Sequence, residues 1–216
     1  MDIASAFTFM FDDKDWIKKM VIGGLAMLLG IILVPILAVY GYMVELIRNV
    51  SRNEEKPLPQ WDNFGALIMQ GLNVVVISLV YSLPVILFAC LIAIPPVLMQ
   101  DANPEMADTL AIVSSCLSLV VTILSLLVSL IMPAAIIRYA VHDRLSAAFQ
   151  FGEVFRFITS HIGDYIITVL VGGVAAVIAI FGLLLCGIGI YLTNFWAIMV
   201  MGNLLGQLAR KSEATL

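Results

Sequence analysis

Four stretches of the chain contain no Asp, Glu, Lys, Arg or His: Met20 to Val44, Asn63 to Gln100, Thr109 to Ile137 and Tyr165 to Ala209. Each exceeds the roughly 20 residues that carry a helix across the hydrocarbon core of a bilayer, and the last is long enough for two passes. In hydrocarbon every backbone N–H and C=O has to be paired within the structure, which leaves helices and closed barrels as the spanning solutions. The runs are continuous and lack period-2 alternation, so a barrel built from segments of about 10 alternating residues does not fit. The expected fold is therefore all-α: a polytopic helical membrane protein with five to six membrane segments plus interfacial amphipathic helices. It is expected to form a single integral membrane domain over residues 1–216. With 62% hydrophobic and 12% charged residues, the chain lies far from the roughly one-quarter charged composition of soluble domains.

The basic residues set the expected orientation. All eleven are Lys14, Lys18, Lys19, Arg48, Arg52, Lys56, Arg138, Arg144, Arg156, Arg210 and Lys211, while the loop around residues 101–108 has three acids and no base. The positive-inside rule makes that loop external and the connections 48–66 and 138–162 cytoplasmic. The last two spans, turning around Gly187 and Gly189, return the carboxyl terminus to the cytoplasm. If residues 20 to 47 form one helix, three of the basic residues fall outside; if the helix breaks near Pro35 into two arms of about 14 residues, all eleven fall inside. Such arms are short for ordinary spans but suit a re-entrant or tilted hairpin, and this arrangement, with both termini inside, is favoured over five spans. The amino terminus opens with an acid and has no basic n-region or cleavage site, so the first apolar run is expected to be retained.

Residues 1–19 are read as an interfacial segment. "SAFTF" at 5 to 9 resembles "AAFQF" at 147 to 151, and "DWI" at 15 to 17 resembles "DYI" at 164 to 166. Phe7, Phe9, Phe11 and Trp16 in the first segment, and Phe149, Phe151, Phe155 and Phe157 in the second, suit helices lying at headgroup level. "PLPQWDNFG" at 57 to 65 reads as the place where the chain returns to the membrane. There Pro57 and Pro59 hold it extended, Trp61 anchors at the interface, and Asp62 caps a helix starting at Asn63. A second reading joins Trp61 and Asp62 to Arg48 and Arg52 in a headgroup-binding site.

Within the apolar runs, Ser115, Ser118, Thr122, Ser125 and Ser129 repeat at 3-4-3-4 spacing and so share one helix face. Small hydroxylated residues favour close helix contact and interhelical hydrogen bonds, so the stripe reads as a packing seam, or as a polar groove for a headgroup or small solute. Gly202 and Gly206 form a GxxxG packing face. Ionisable groups are absent from all four runs, which argues against a proton relay. Cys90, Cys116 and Cys186 are isolated, and His142 with Asp143 or His161 with Asp164 falls short of the three or four ligands of a zinc site. Hydrolase, metalloprotease, P-loop and dinucleotide motifs are missing, and no basic tract suggests nucleic acid.

"FDDKDWIKKMVIGG", "VPILAVYGYMVELIRNV", "PLPQWDNFGALIMQGL" and "MPAAIIRYAVHDRLSAAFQFGEVF" together resemble the prokaryotic membrane family catalogued as domain of unknown function 4013. Gly41-Tyr42, Arg48 and the Pro-x-x-Asp-like "LPQWD" are the most specific part of the likeness. The chain departs from the family at Asp13-Lys14-Asp15, where Asp-Pro is usual before the Trp. The resemblance implies a prokaryotic cytoplasmic-membrane location and brings no reaction, cofactor or catalytic residue.

The residues point to a non-enzymatic membrane protein that serves as an oligomeric or accessory subunit of a membrane complex. The alternative is a transporter or binder of a lipid or small amphipathic molecule, with Arg48, Arg52, Arg138 and Arg144 attracting its headgroup. Expected partners are membrane lipids and either further copies or other membrane subunits, with no cofactor, metal or nucleic acid.

Overall fold

The computed structural model describes residues 2–32, 34–98, 103–184 and 187–213, and the described residues contain helices and turns without a strand. In chain order the helices are α1 (Ile3–Thr8), α2 (Trp16–Leu28), α3 (Val34–Ser51), α4 (Phe64–Ile92), α5 (Ile94–Leu98), α6 (Pro104–His142), α7 (Leu145–Ala148), α8 (Phe151–Ser160), α9 (Ile162–Ile180) and α10 (Gly189–Glu213). Among the described residues, four helical stretches are long and apolar enough to cross a membrane: Phe64–Val97, Glu105–His142, Ile162–Leu184 and Gly189–Ser212. The expected five to six segments were slightly too many. The excess comes from residues 20 to 47, which do not form one uninterrupted helix.

That run breaks after Leu28 into a 3₁₀ turn, Leu29–Ile32, and resumes as α3 at Val34. The break precedes Pro35, which sits in the first turn of α3, where its missing N–H costs nothing. The arms have 13 and 18 residues, and α2 folds back against α3. The open end of this hairpin is clamped. Lys19 Nζ donates to Asp13 Oδ2 at 2.7 Å and to the Leu58 carbonyl at 3.0 Å. Burial opposes ionisation of Asp13, but hydrogen bonds from Lys19 and the Asp15 N–H, with the charges of Lys19 and Lys56, outweigh it and hold the carboxyl below its ordinary range.

The chain forms two compact units, residues 1–77 with 133–216 and residues 78–132. In the first, α10 is the central post, packed against α1, α2, α3 and α9. Glycines let the backbones meet: a Cβ on Gly41 would strike the Leu67 backbone, and one on Gly71 the Leu37 backbone, so α3 and α4 touch main chain to main chain. Gly202 faces Met43 and Leu46, and Gly206 faces Val50 and the Ile47 carbonyl. The GxxxG face is thus a contact between α10 and α3 within the chain.

The amino-terminal segment packs into the protein. Asp2 N–H donates to Gln207 Oε1 at 2.8 Å, Phe7 tilts against Trp196 at 5.7 Å, and Ala6 and Met10 are buried, so α1 lies along α10. Phe11 is exposed, with its ring edge-on to Trp16. Trp61 is likewise buried, stacked on Tyr42 at 4.4 Å with its indole N–H donating to the Lys19 carbonyl at 3.3 Å. It fastens the 52–63 connection to the hairpin and is not presented to headgroups. The cap of α4 falls one residue later than expected: Asn63 Oδ1 accepts from Ala66 N–H at 3.2 Å, and Asp62 is exposed.

The second unit comprises the distal part of α4, with Pro84 inside it, then α5 and the first part of α6. Residues 99–102 lie outside the described residues, so the expected external loop is represented by Asn103 onward. Asn103 Oδ1 accepts from Met106 N–H at 2.9 Å at the start of α6. Gly187 takes φ +73 before α10, as the expected turn between the last two spans requires, whereas Cys186 lies outside the described residues.

Candidate functional site

α6 ends because Asp143 adopts a left-handed conformation at φ 52, with its N–H still bonded to the Tyr139 carbonyl at 3.0 Å. The chain then folds through α7 into α8, where Val154 is fully buried. On α8, Glu153, Arg156, Phe157 and Ser160 recur at helical spacing and form one face, and His161 follows as the residue that ends the helix. With His161, with Ile137, Arg138, Val141 and His142 of α6 and with Ser212 of α10, this face lines an open cavity of about 490 Å³. The opposite face of α8 carries exposed Phe151 and Phe155 and continues into exposed Ile162 at the start of α9, a candidate span.

The polar groups of the cavity are held in place. Arg138 Nε donates to the Ala147 carbonyl at 3.4 Å and one terminal nitrogen to Gln150 Oε1 at 3.0 Å, while the other stands 3.9 Å from Glu153 Oε2. Arg156 lies 3.6 Å from Glu153 Oε1. His142 Nδ1 is 3.0 Å from the Arg138 carbonyl and His161 Nδ1 is 3.4 Å from that of Phe157, bonds that require the proton on Nδ1 in the neutral rings. Two guanidinium groups flank one carboxylate, and two imidazoles share the cavity lining with them and with the apolar side chains of Ile137, Val141 and Phe157. Such a pocket suits a molecule with an anionic group and an apolar body. Among the described residues, no three His, Cys, Asp or Glu side chains gather as metal ligands.

Of the headgroup candidates read from the sequence, Arg138 alone lines this cavity. Arg48 is buried and spent on structure: Nε donates to the Ala140 carbonyl at 3.0 Å, and the terminal nitrogens pair with Glu45 at 2.9 Å and Asp143 at 2.7 Å. Arg52 and Arg144 are exposed outside it, as is Asp62. Glu153 and Arg156 were not singled out from the sequence, and His142 and His161 were weighed only as metal ligands. The histidines are 19 positions apart in sequence and line the same cavity through the α6–α8 turn; the available signal was the α8 face spacing.

The hydroxyl stripe lies in the second unit. Ser115, Ser118, Thr122, Ser125 and Ser129 are all exposed, each one position beyond the half-buried face Ser114, Leu117, Val121, Leu124 and Val128. The hydroxyls of Ser115, Ser118, Thr122 and Ser129 donate to carbonyls of their own helix at 2.8–2.9 Å.

The family model described as "Protein of unknown function (DUF4013)" matches residues 24–188 of the chain. No curated protein matches it. No solved structure matches it either.

Proposed function

The chain belongs to the DUF4013 family, and from its geometry we propose a non-enzymatic, multi-pass membrane protein that binds or carries a lipid or small amphipathic molecule with an anionic group. The observation that supports this is the cavity beneath α8, where Arg138, Arg156, His142 and His161 stand beside an apolar wall. α8 has its polar face on the cavity and aromatic side chains on the other, and it leads directly into a candidate span, so a ligand arriving along a bilayer surface meets this site first. The host membrane in this reading is the prokaryotic cytoplasmic membrane, with the basic connections in the cytoplasm.

The test is gentle extraction at native expression level, followed by mass measurement of the intact particle and identification of copurified lipids and metabolites. One enriched anionic amphiphile is expected, and Val141→Trp, which places an indole against the apolar wall and narrows the cavity, should lower its enrichment severalfold without dissociating any partner. An unchanged lipid profile in that variant would overturn the reading.

A second reading, an oligomeric or accessory subunit, draws on the exposed hydroxyl stripe of α6. The GxxxG lends it nothing, because Gly202 and Gly206 are occupied by α3. A defined assembly that dissociates when Ser118 and Ser125 are replaced by Leu would favour this second reading.

A further inference from the structure

Resting on the anionic-amphiphile reading of the cavity, we infer that Glu153 is a resident competitor for the ligand's anionic group, a built-in counter-ion that sets the threshold for binding. The ligand chemistry is that of a phosphate-type anion. Among the described residues Glu153 is the one carboxylate in the cavity wall, and it is shared between two guanidinium groups without closing on either. Its oxygens lie 3.9 Å from Arg138 and 3.6 Å from Arg156, well beyond the 2.7–2.9 Å of a strong charge-assisted hydrogen bond.

Arg138 cannot turn to improve that contact, because Ala147 and Gln150 already hold two of its nitrogens, and its side chain is only 15% exposed. Glu153, by contrast, is 47% exposed on α8 and can swing into water at little desolvation cost. A phosphate oxygen cluster can meet both guanidinium groups where a single carboxylate spans them loosely. Binding is therefore an exchange, in which the anion takes the two arginines and Glu153 is released to solvent.

The experiment titrates the detergent-solubilised protein with phosphatidic acid and with phosphatidylcholine, counting bound lipid by native mass spectrometry. A separate arm measures inorganic phosphate by calorimetry. Glu153→Gln, at an exposed position of nearly equal volume, should tighten phosphatidic acid binding about three- to tenfold, leave phosphatidylcholine unchanged, and preserve the melting temperature. Arg156→Gln, at a position 68% exposed and so remote from folding risk, should weaken phosphatidic acid binding, and the double variant should lose the gain. Tightening confined to inorganic phosphate would support the exchange and assign the anion to solution. If Arg156→Gln weakens binding while Glu153→Gln leaves it unchanged or weaker, the competitor role is wrong and the cavity reading survives. If neither wild type nor Glu153→Gln prefers phosphatidic acid or takes up phosphate, both fall.

Discussion

A guanidinium group taken out of water needs partners for its N–H donors, and Arg48 finds them on two helices at once: Glu45 on α3 and Asp143 with the Ala140 carbonyl at the end of α6. The planar fork is what lets it reach three partners in different directions, since a lysine carries its three donors on one nitrogen. Asp143 is largely exposed and can be taken over by water, so Arg48→Ala should destabilise the detergent-solubilised protein by about 1.5–3 kcal/mol in a denaturant titration, for the lost charge-assisted hydrogen bonds and the Ala140 carbonyl left without its donor. Arg48→Lys should recover less than half of that loss, and recovery of full stability would show that charge alone sufficed. The glycines give a second prediction at this scale. A methyl group at Gly41 meets the Leu67 main chain, at Gly206 the Val50 side chain and Ile47 carbonyl, and at Gly202 the movable side chains of Met43 and Leu46. Melting temperatures should therefore fall in the order Gly41→Ala, then Gly206→Ala, then Gly202→Ala, with the first costing about 3 kcal/mol or more because main chain cannot step aside.

Among the elements, the α2–α3 hairpin depends on a clamp that responds to acid. The carboxyl of Asp13 is held below its ordinary range, so its contribution is fully present above the unfolded-state value near pH 4 and is lost as pH falls through the lower folded value. The melting temperature of the wild type should decline over that acid window more steeply than that of Asp13→Asn, which starts lower at neutral pH. Parallel curves would show that the clamp carries no pH-dependent stability. Much of this element was legible beforehand: uninterrupted apolar length announced the spans, and Pro35 with eleven basic residues announced a broken first run. The position of the break was not, because a proline in the first helical turn leaves the helix intact and the turn falls upstream of it. Trp61 and the GxxxG were recognisable as contact-making residues, but their partners, Tyr42 with the Lys19 carbonyl and α3, depend on how helices dock. The cavity was harder still. Its walls come from α6, α8 and α10, and local spacing says nothing about which helix ends meet.

For the whole molecule, the decisive question is which segments share a side of the membrane. In the first compact unit the contacts converge. Lys19 reaches Leu58, Asn49 Nδ2 donates to the Pro57 carbonyl at 3.0 Å, Arg48 meets Asp143, Arg210 donates to Asn53, Gln207 holds Asp2, and Lys211 pairs with Asp164 at 2.6 Å. The open end of the hairpin, the 52–63 connection, the α6–α9 connection and the end of α10 therefore join at one end of that unit, and every basic residue lies on these segments except Arg138, which sits in the last turns of α6 leading into them. Placing that end in the cytoplasm satisfies the positive-inside rule without exception, whereas a first run that crossed the membrane would strand Lys14, Lys18 and Lys19 on the far side. The expected outcome is testable in a variant with Cys90, Cys116 and Cys186 replaced by Ala and single cysteines placed at Lys14, Arg52, Arg144 or Lys211. All four should resist a membrane-impermeant maleimide on intact cells and react once the membrane is permeabilised. Labelling at position 14 alone would mean that the hairpin opens and crosses in the bilayer. The Asp13–Lys19–Leu58 contacts argue against that result, because a crossing would have to pull Lys19 away from the connection that follows α3.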